Sequence, residues 1–387
     1  MLRCNILSIF LAFSLLAGAQ DWKVVRENPQ KAFPKTVAAG NYSGIAHLHD
    51  DIYAVVSDKS DSALYFNFRI LVNPKTGEPE QVENLGFTER TDGTLNDGKP
   101  WQGQEKGFDH EAIVKVSDST LVIASEGCCR LKEYPILSTS ADAAKVGYQQ
   151  NLWESRWPSA DFYPNYNFES LAFDSARQYL WTIPESTLRK DGQPATPQNG
   201  LANQLRLMRF DWGKMKENRN KEAYSEQVSS KQDSRYMATY AYLMDQPSTH
   251  KKADIYVMGV SELCALPDGQ LLVLEREAFI PKIKIGAFCK CKLYLINPLN
   301  SGEFSTDEKS SMKEKFSSDT PFLKKRLLTE WKTGLSLSKR SFANYEGMCL
   351  GPKLEDGSQV VILLSDSQDQ YAGVLKDWFK TIVIRKE

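Results

Sequence analysis

Carboxylates return in phase along this chain. A Glu or a Gly opens a short apolar run, and 13 to 20 residues later a second run ends on an Asp or Glu. The pairs are Gly44 with Asp58, Glu111 with Glu126, Glu169 with Glu185, Glu262 with Glu275, and Glu346 with Asp366. Acids at the same place in every unit of a cyclic repeat converge on one end of its axis. So many ionised carboxylates repel one another unless a cation or a bound proton neutralises some of them. Hard divalent cations take oxygen donors, and Ca2+ accepts about six to eight of them in flexible geometry.

The spacing therefore predicts either a cation site or a cluster of acids and bases. Its expected catalytic core is Glu111, Glu169, Glu262 and Glu346, with Asp58, Glu126, Glu185, Glu275 and Asp366 beside them as metal ligands. The competing reading is that each Glu accepts backbone N–H groups of a neighbouring unit and merely braces the ring.

Other residues extend the set. Ser57-Asp58-Lys59-Ser60-Asp61 and Ser365-Asp366-Ser367-Gln368-Asp369 both read S-D-x-x-D, in the first and last units. These become neighbours once a ring closes, and can offer oxygens to one Ca2+. Arg276 follows Glu275 and points to the opposite face of the same strand. It is the favoured anion binder, set against an ion pair with an adjacent carboxylate. Arg130, Arg189, Lys282 and Lys284 lie on loops after second strands and read mainly as solvated charges. His110, in Asp109-His110-Glu111, can act as a general acid or base near neutral pH or serve as a hydrogen-bonded structural residue.

The elements that position these groups are strands. LLVLER, LYLIN, VVILLSD, YLWTIPE and TIVIRK are short apolar or alternating runs bounded by Gly, Asp, Asn and Pro. Pro267-Asp268-Gly269 and Asp356-Gly357 supply hairpin turns. Extended outward, the first, third and fourth units each give four strands, while the second shows two clearly and a further one in NLWESRW. The fifth closes on WFKTIVIRKE, and DWKVVREN from the N-terminal end is expected to supply its outer strand. The polar stretches near 213–235 and 301–320 have room for short helices but read better as long loops. The fold class is all-β, a β-propeller of five four-stranded blades, or six if a degenerate unit is present. A β-sandwich is the competing architecture, but it does not explain acids recurring in phase.

With these words in place, the chain resembles the phytase-like esterase family of exported bacterial β-propellers. DHEAI…SEG, NFESLAF…PES, SELCALPDGQLLVLERE and NYEGMCLGPKLEDGSQVVILLSD carry the resemblance, which runs from about Ser43 to the C-terminus. It implies a propeller that hydrolyses a phosphoester or ester.

Composition narrows the partners. With 48 basic and 49 acidic residues, there is no electrostatic case for nucleic acid or an anionic membrane. Arg3, the apolar run Ile6 to Leu16 and Ala17-Gly18-Ala19 read as a signal peptide over residues 1–20, which places the domain of residues 21–387 in a periplasm or outside the cell. Cys128, Cys129, Cys264, Cys289, Cys291 and Cys349 then allow disulfides or buried free thiols, with a spacing that fits no standard zinc pattern. HExxH, a G-x-S-x-G elbow and a Gly-rich phosphate loop are absent from the sequence.

The leading expectation is a Ca2+-assisted hydrolase of a small-molecule ester or phosphoester. A non-catalytic scaffold propeller and a Ca2+-dependent lactonase-type hydrolase stand as alternatives.

Overall fold

The computed structural model describes residues 21–59, 65–87, 108–136, 152–222, 236–303, 316–338, 340–371 and 375–387. Two strands precede the repeats, β1 (Trp22–Glu27) and β2 (Lys31–Ala32). The first blade is β3 (Tyr42–His49), β4 (Ile52–Ser57), β5 (Phe66–Val72) and β6 (Pro79–Phe87). The second is β7 (His110–Lys115), β8 (Thr120–Ser125), β9 (Arg130–Pro135) and β10 (Glu154–Arg156). The third is β11 (Ala172–Asp174), β12 (Tyr179–Thr182), β13 (Gln204–Asp211) and β14 (Met237–Leu243). The fourth is β15 (Ile255–Ala265), β16 (Leu271–Ile280), β17 (Phe288–Ile296) and β18 (Lys325–Gly334). In the fifth, β19 (Asn344–Lys353), β20 (Gln359–Asp366) and β21 (Trp378–Lys386) are completed by β1, so both ends of the described chain share one sheet.

The inner strands form a ring. β3 packs beside β7, β7 beside β11, β11 beside β15, β15 beside β19, and β19 back beside β3. This is a five-bladed propeller. Among the described residues no sixth sheet forms.

The core lies between blades, which explains why the strands read as near-continuous apolar runs. A strand buried on both faces sends alternate side chains into two different interfaces. On β4, Tyr53 and Val55 enter the cluster shared with the fifth blade, while Ala54 and Val56 enter the one shared with the second. On β20, Val360, Ile362 and Leu364 face the first blade, while Val361 and Leu363 face the fourth. Each such side chain contributes about 1.5–3 kcal/mol by leaving water. The hairpins of the fourth and fifth blades turn at Gly269 and Gly357, with φ of 88° and 79°, where a side chain would be strained.

Three points that the sequence leaves open are decided. β9 belongs to the second blade although its segment, RLKEYP, carries too few apolar residues to stand out. Residues 212–222 are an α-helix, α1 (Trp212–Glu222), rather than a loop. Trp212 and Met215 bury it against the second and third blades, and Lys216 Nζ holds Glu133 at 2.6 Å. All six cysteines of the described residues are free thiols, and all but Cys128 are buried. Residues 1–20 and Asp61 lie outside the described residues. Among the described residues, no helix is long and apolar enough to cross a membrane.

Candidate metal centre

Every inner strand carries one extra residue at the same place. In the second blade His110 pairs with Ser125 and Ala112 with Ala124, which leaves Glu111 as a bulge. Glu346 is the equivalent bulge between Tyr345 and Gly347, and Ser261 between Val260 and Glu262. Ser43 takes this place in the first blade and Glu169 in the third. A bulge bends the strand and re-aims the extra side chain, here toward the axis.

Two further layers accompany the bulges. The second strands end on Asp58, Glu126, Glu185, Arg276 and Asp366, opposite Asn41, Asp109, Asn167, Gly259 and Asn344 at the starts of the first. Thus the words Asn41-Tyr42-Ser43, Asp109-His110-Glu111, Asn167-Phe168-Glu169, Gly259-Val260-Ser261 and Asn344-Tyr345-Glu346 are the structural equivalents.

This corrects the phase expected from sequence. Gly44 and Glu262 sit one residue beyond the acid position, which Ser43 and Ser261 occupy. On β16 it is Arg276, not Glu275, that stands in the acidic layer. A shift of one residue on a strand moves a side chain to the other face, and both Glu residues accordingly leave the acidic pole. Glu262 Oε1 accepts the N–H of Leu171 from the third blade at 3.0 Å and of Leu263 at 2.9 Å. Glu275 accepts from Tyr242 Oη at 2.7 Å and Lys325 Nζ at 2.6 Å, and Lys325 also holds Asp245 at 2.9 Å. Both are interblade braces.

The remaining acids converge. Asp58, Asp109 and Glu111 bring carboxylate oxygens within 4.8 Å of one another, and so do Glu111, Glu126 and Glu169. Ser43 Oγ donates to Glu111 Oε2 at 2.7 Å, and the Asn167 N–H donates to Glu126 Oε1 at 3.1 Å. Asp109, which sequence reading left out of the ligand set, is held in the left-handed region at φ 51°.

Burial comes first among the forces on these groups, and like charge adds to it. Asp58 is pushed up to about 7 by burial and by Asp366. Glu126 is pushed up to about 7 by burial and by Glu185. Glu111 and Glu169 are driven well above the carboxylate range by burial and by their acidic neighbours. Asp366 rises to about 8 through burial and Glu346.

Two cations meet this charge. Lys59 Nζ lies 2.6 Å from Asp58 Oδ2 at the rim. Arg276, 4% exposed, pairs with Glu185 of the third blade and with Glu346 of the fifth at 2.5 Å, and donates to Asn344 Oδ1 at 3.0 Å. The guanidinium expected to bind an anion is thus committed to two blades. His110 is fully buried, with Nδ1 2.8 Å from Ser125 Oγ and its ring stacked on Phe108. That is the setting of a structural histidine. In the last loop, Asp369 Oδ1 accepts from Asn41 at 2.7 Å and ties the fifth blade to the first.

The donor set fits a hard cation. It consists of carboxylate oxygens, and Asp58 Oδ1 is buried without a hydrogen-bond partner. These clusters can hold a metal ion.

Solved structures similar to the chain include a putative gluconolactonase (10% identity, 95% of this chain and 99% of that one, TM-score 0.33). A putative glucose dehydrogenase from Thermus thermophilus is 9% identical (92% and 99% covered, TM-score 0.32), and streptogramin B lyase 10% (93% and 98%, TM-score 0.31). Likeness at that level says nothing about chemistry, and the fold assignment rests on the sheets themselves. No curated protein matches. The family Phytase-like, described as esterase-like activity of phytase, matches residues 37–368 and so covers the first four blades, the two inner strands of the fifth and every acid of the pole; the chain belongs to that family.

Proposed function

We propose that this protein is an exported hydrolase that cleaves a phosphoester or ester with the help of Ca2+ at the acidic pole of the propeller. One observation carries the reading. Carboxylates from three consecutive blades meet in two overlapping trios, while Glu185 and Glu346 are already paired with Arg276. Bracing accounts for Glu262, Glu275 and Glu185; Glu111 and Glu126 each accept one interblade bond, from Ser43 and Asn167, and still converge on Glu169.

Bound Ca2+ would polarise the substrate oxygen and make a water more acidic. The protein residues supply the rest. Asp58, Asp109, Glu111, Glu126 and Glu169 hold the ion. Glu346, pushed up to about 7 by burial against the opposing pull of Arg276, is the group assigned to accept and return a proton. Arg276 is a positioning residue that fixes Glu346 and Glu185. Lys59, whose side chain is 47% exposed, is the cation available to an anionic substrate oxygen.

The test is hydrolysis of phytate, a simple phosphomonoester, an aryl ester and a lactone by chelator-stripped protein, with and without added Ca2+. Calcium-dependent turnover of phytate or another ester supports the reading. Turnover of the lactone alone would favour a lactonase, and no turnover of any substrate would leave a scaffold propeller.

A further inference from the structure

The geometry points to two cation positions that share Glu111 as a bridging carboxylate. This rests on the metal reading above and adds stoichiometry and division of labour. The outer position draws on Asp58 and Asp109, the inner on Glu126 and Glu169, and Glu111 belongs to both groups. Among the described residues, no group of mutually close ligand atoms joins Asp58 or Asp109 to Glu126 or Glu169. A single ion at the inner position leaves Asp58 and Asp109 with Lys59 alone, and a single ion at the outer position leaves Glu126 and Glu169 without an ion-paired cation among the described residues.

A second observation is independent of the clustering. Glu169 is only 7% exposed, its carboxylate faces Glu111 and Glu126, and no hydrogen-bond donor among the described residues reaches it. Buried carboxylates are normally paired or hydrogen-bonded. By contrast Glu262, also buried, has backbone donors. Glu169 thus lacks the partner that a brace possesses. Glu111 has two carboxylate oxygens, and Ser43 Oγ fixes the orientation of one of them at 2.7 Å. Three carboxylates per position fall short of the oxygens Ca2+ prefers, so each position retains places for water or substrate.

Calorimetric titration of chelator-stripped full-length protein with Ca2+ tests this. Two equivalents are expected for the wild type. Asp58→Asn should abolish one and leave the other, Glu169→Gln should do the converse, and Glu111→Gln should weaken both by at least tenfold. Circular dichroism before each titration separates loss of a site from loss of fold. Mn2+ loaded in place of Ca2+ supplies a second readout, since two ions sharing a carboxylate give an exchange-coupled paramagnetic resonance signal. One equivalent in the wild type, or a single site sensitive to both Asp58→Asn and Glu169→Gln, would overturn the pair while leaving a metal-assisted hydrolase intact. No bound Ca2+ at all would overturn the pair and the metal reading together.

Discussion

Arg276 Nη1 lies 2.5 Å from Glu346 Oε1, joining the fourth blade to the fifth. The same guanidinium reaches Glu185 in the third. In four blades this layer holds an acid and in one it holds Arg276, so a single substitution within the repeat supplies an internal counter-ion. Removing one member of a buried pair strands the other charge. Arg276→Met should cost about 3–5 kcal/mol of stability, measured by urea unfolding without metal. A loss below about 1 kcal/mol would show that the pair does not brace the ring.

Glu111 and Glu262 look alike in sequence but should behave differently. Glu111→Gln is expected to lower calcium-dependent turnover about 10–100-fold, the range for altered groups around a metal. Glu262→Gln keeps the acceptor oxygen that serves Leu171 and Leu263, and turnover should stay within twofold. Glu262→Ala instead leaves the Leu171 N–H unsatisfied and should cost about 1–3 kcal/mol. Equal kinetic losses for the two Gln variants would refute the division between pole and brace.

Stability of the metal-free protein should depend on pH in a defined direction. Asp58, Glu126 and Glu346 are pushed up to about 7 and Asp366 to about 8, burial being the main cause. Because the folded pKa values exceed the unfolded ones, the folded state holds extra protons between about pH 4 and 8. The corresponding stability is fully present below about pH 4 and is lost as pH rises through 7 to 8. Thermal melts in chelator should therefore show Tm falling from pH 5 to 8. Ca2+ binds the ionised form, so its stabilising shift should be larger at pH 8 than at pH 5. A Tm that rises over this interval in chelator would contradict the buried acidic pole.

Gly44 is required for a close approach rather than for its own φ. A Cβ there would stand 2.7 Å from the Glu111 carbonyl oxygen and from Ala112 Cα. Both neighbours are backbone, so neither rotates away. Gly44→Ala should destabilise by about 1–3 kcal/mol and push Ser43 off Glu111. Calcium affinity should fall with it, which a titration beside the unfolding curve would measure. Unchanged affinity and stability would mean that the inner strands of the first two blades tolerate separation.

Much of the architecture was legible in the chain. Runs such as VVILLSD are apolar at successive positions because each strand is buried on both faces, and DWKVVREN was readable as the strand that completes the fifth blade. The recurrence of acids marked a shared pole. Phase was not legible, because a β-bulge is one extra residue whose presence depends on the partner strand. Aligning Glu262 with Glu111 was reasonable on spacing, yet the bulge at Ser261 turned it toward Leu171. The aligned words Asn167-Phe168-Glu169 and Gly259-Val260-Ser261 contain that phase, but an Asn opposite a Gly and a Glu opposite a Ser hide it.

The sequence by itself determined a ring of blades and an acidic character at one end of it, since local apolar patterning and repeated carboxylates need no partner to be read. Only the tertiary structure decided which carboxylates stand free and which are tied. That depends on where each neighbouring blade places a donor, and blades adjacent in space contribute those donors from residues far apart in the chain. Arg276 meets Glu185 and Glu346 across 91 and 70 residues, respectively. The same contacts leave Glu169 facing Glu111 without a donor among the described residues.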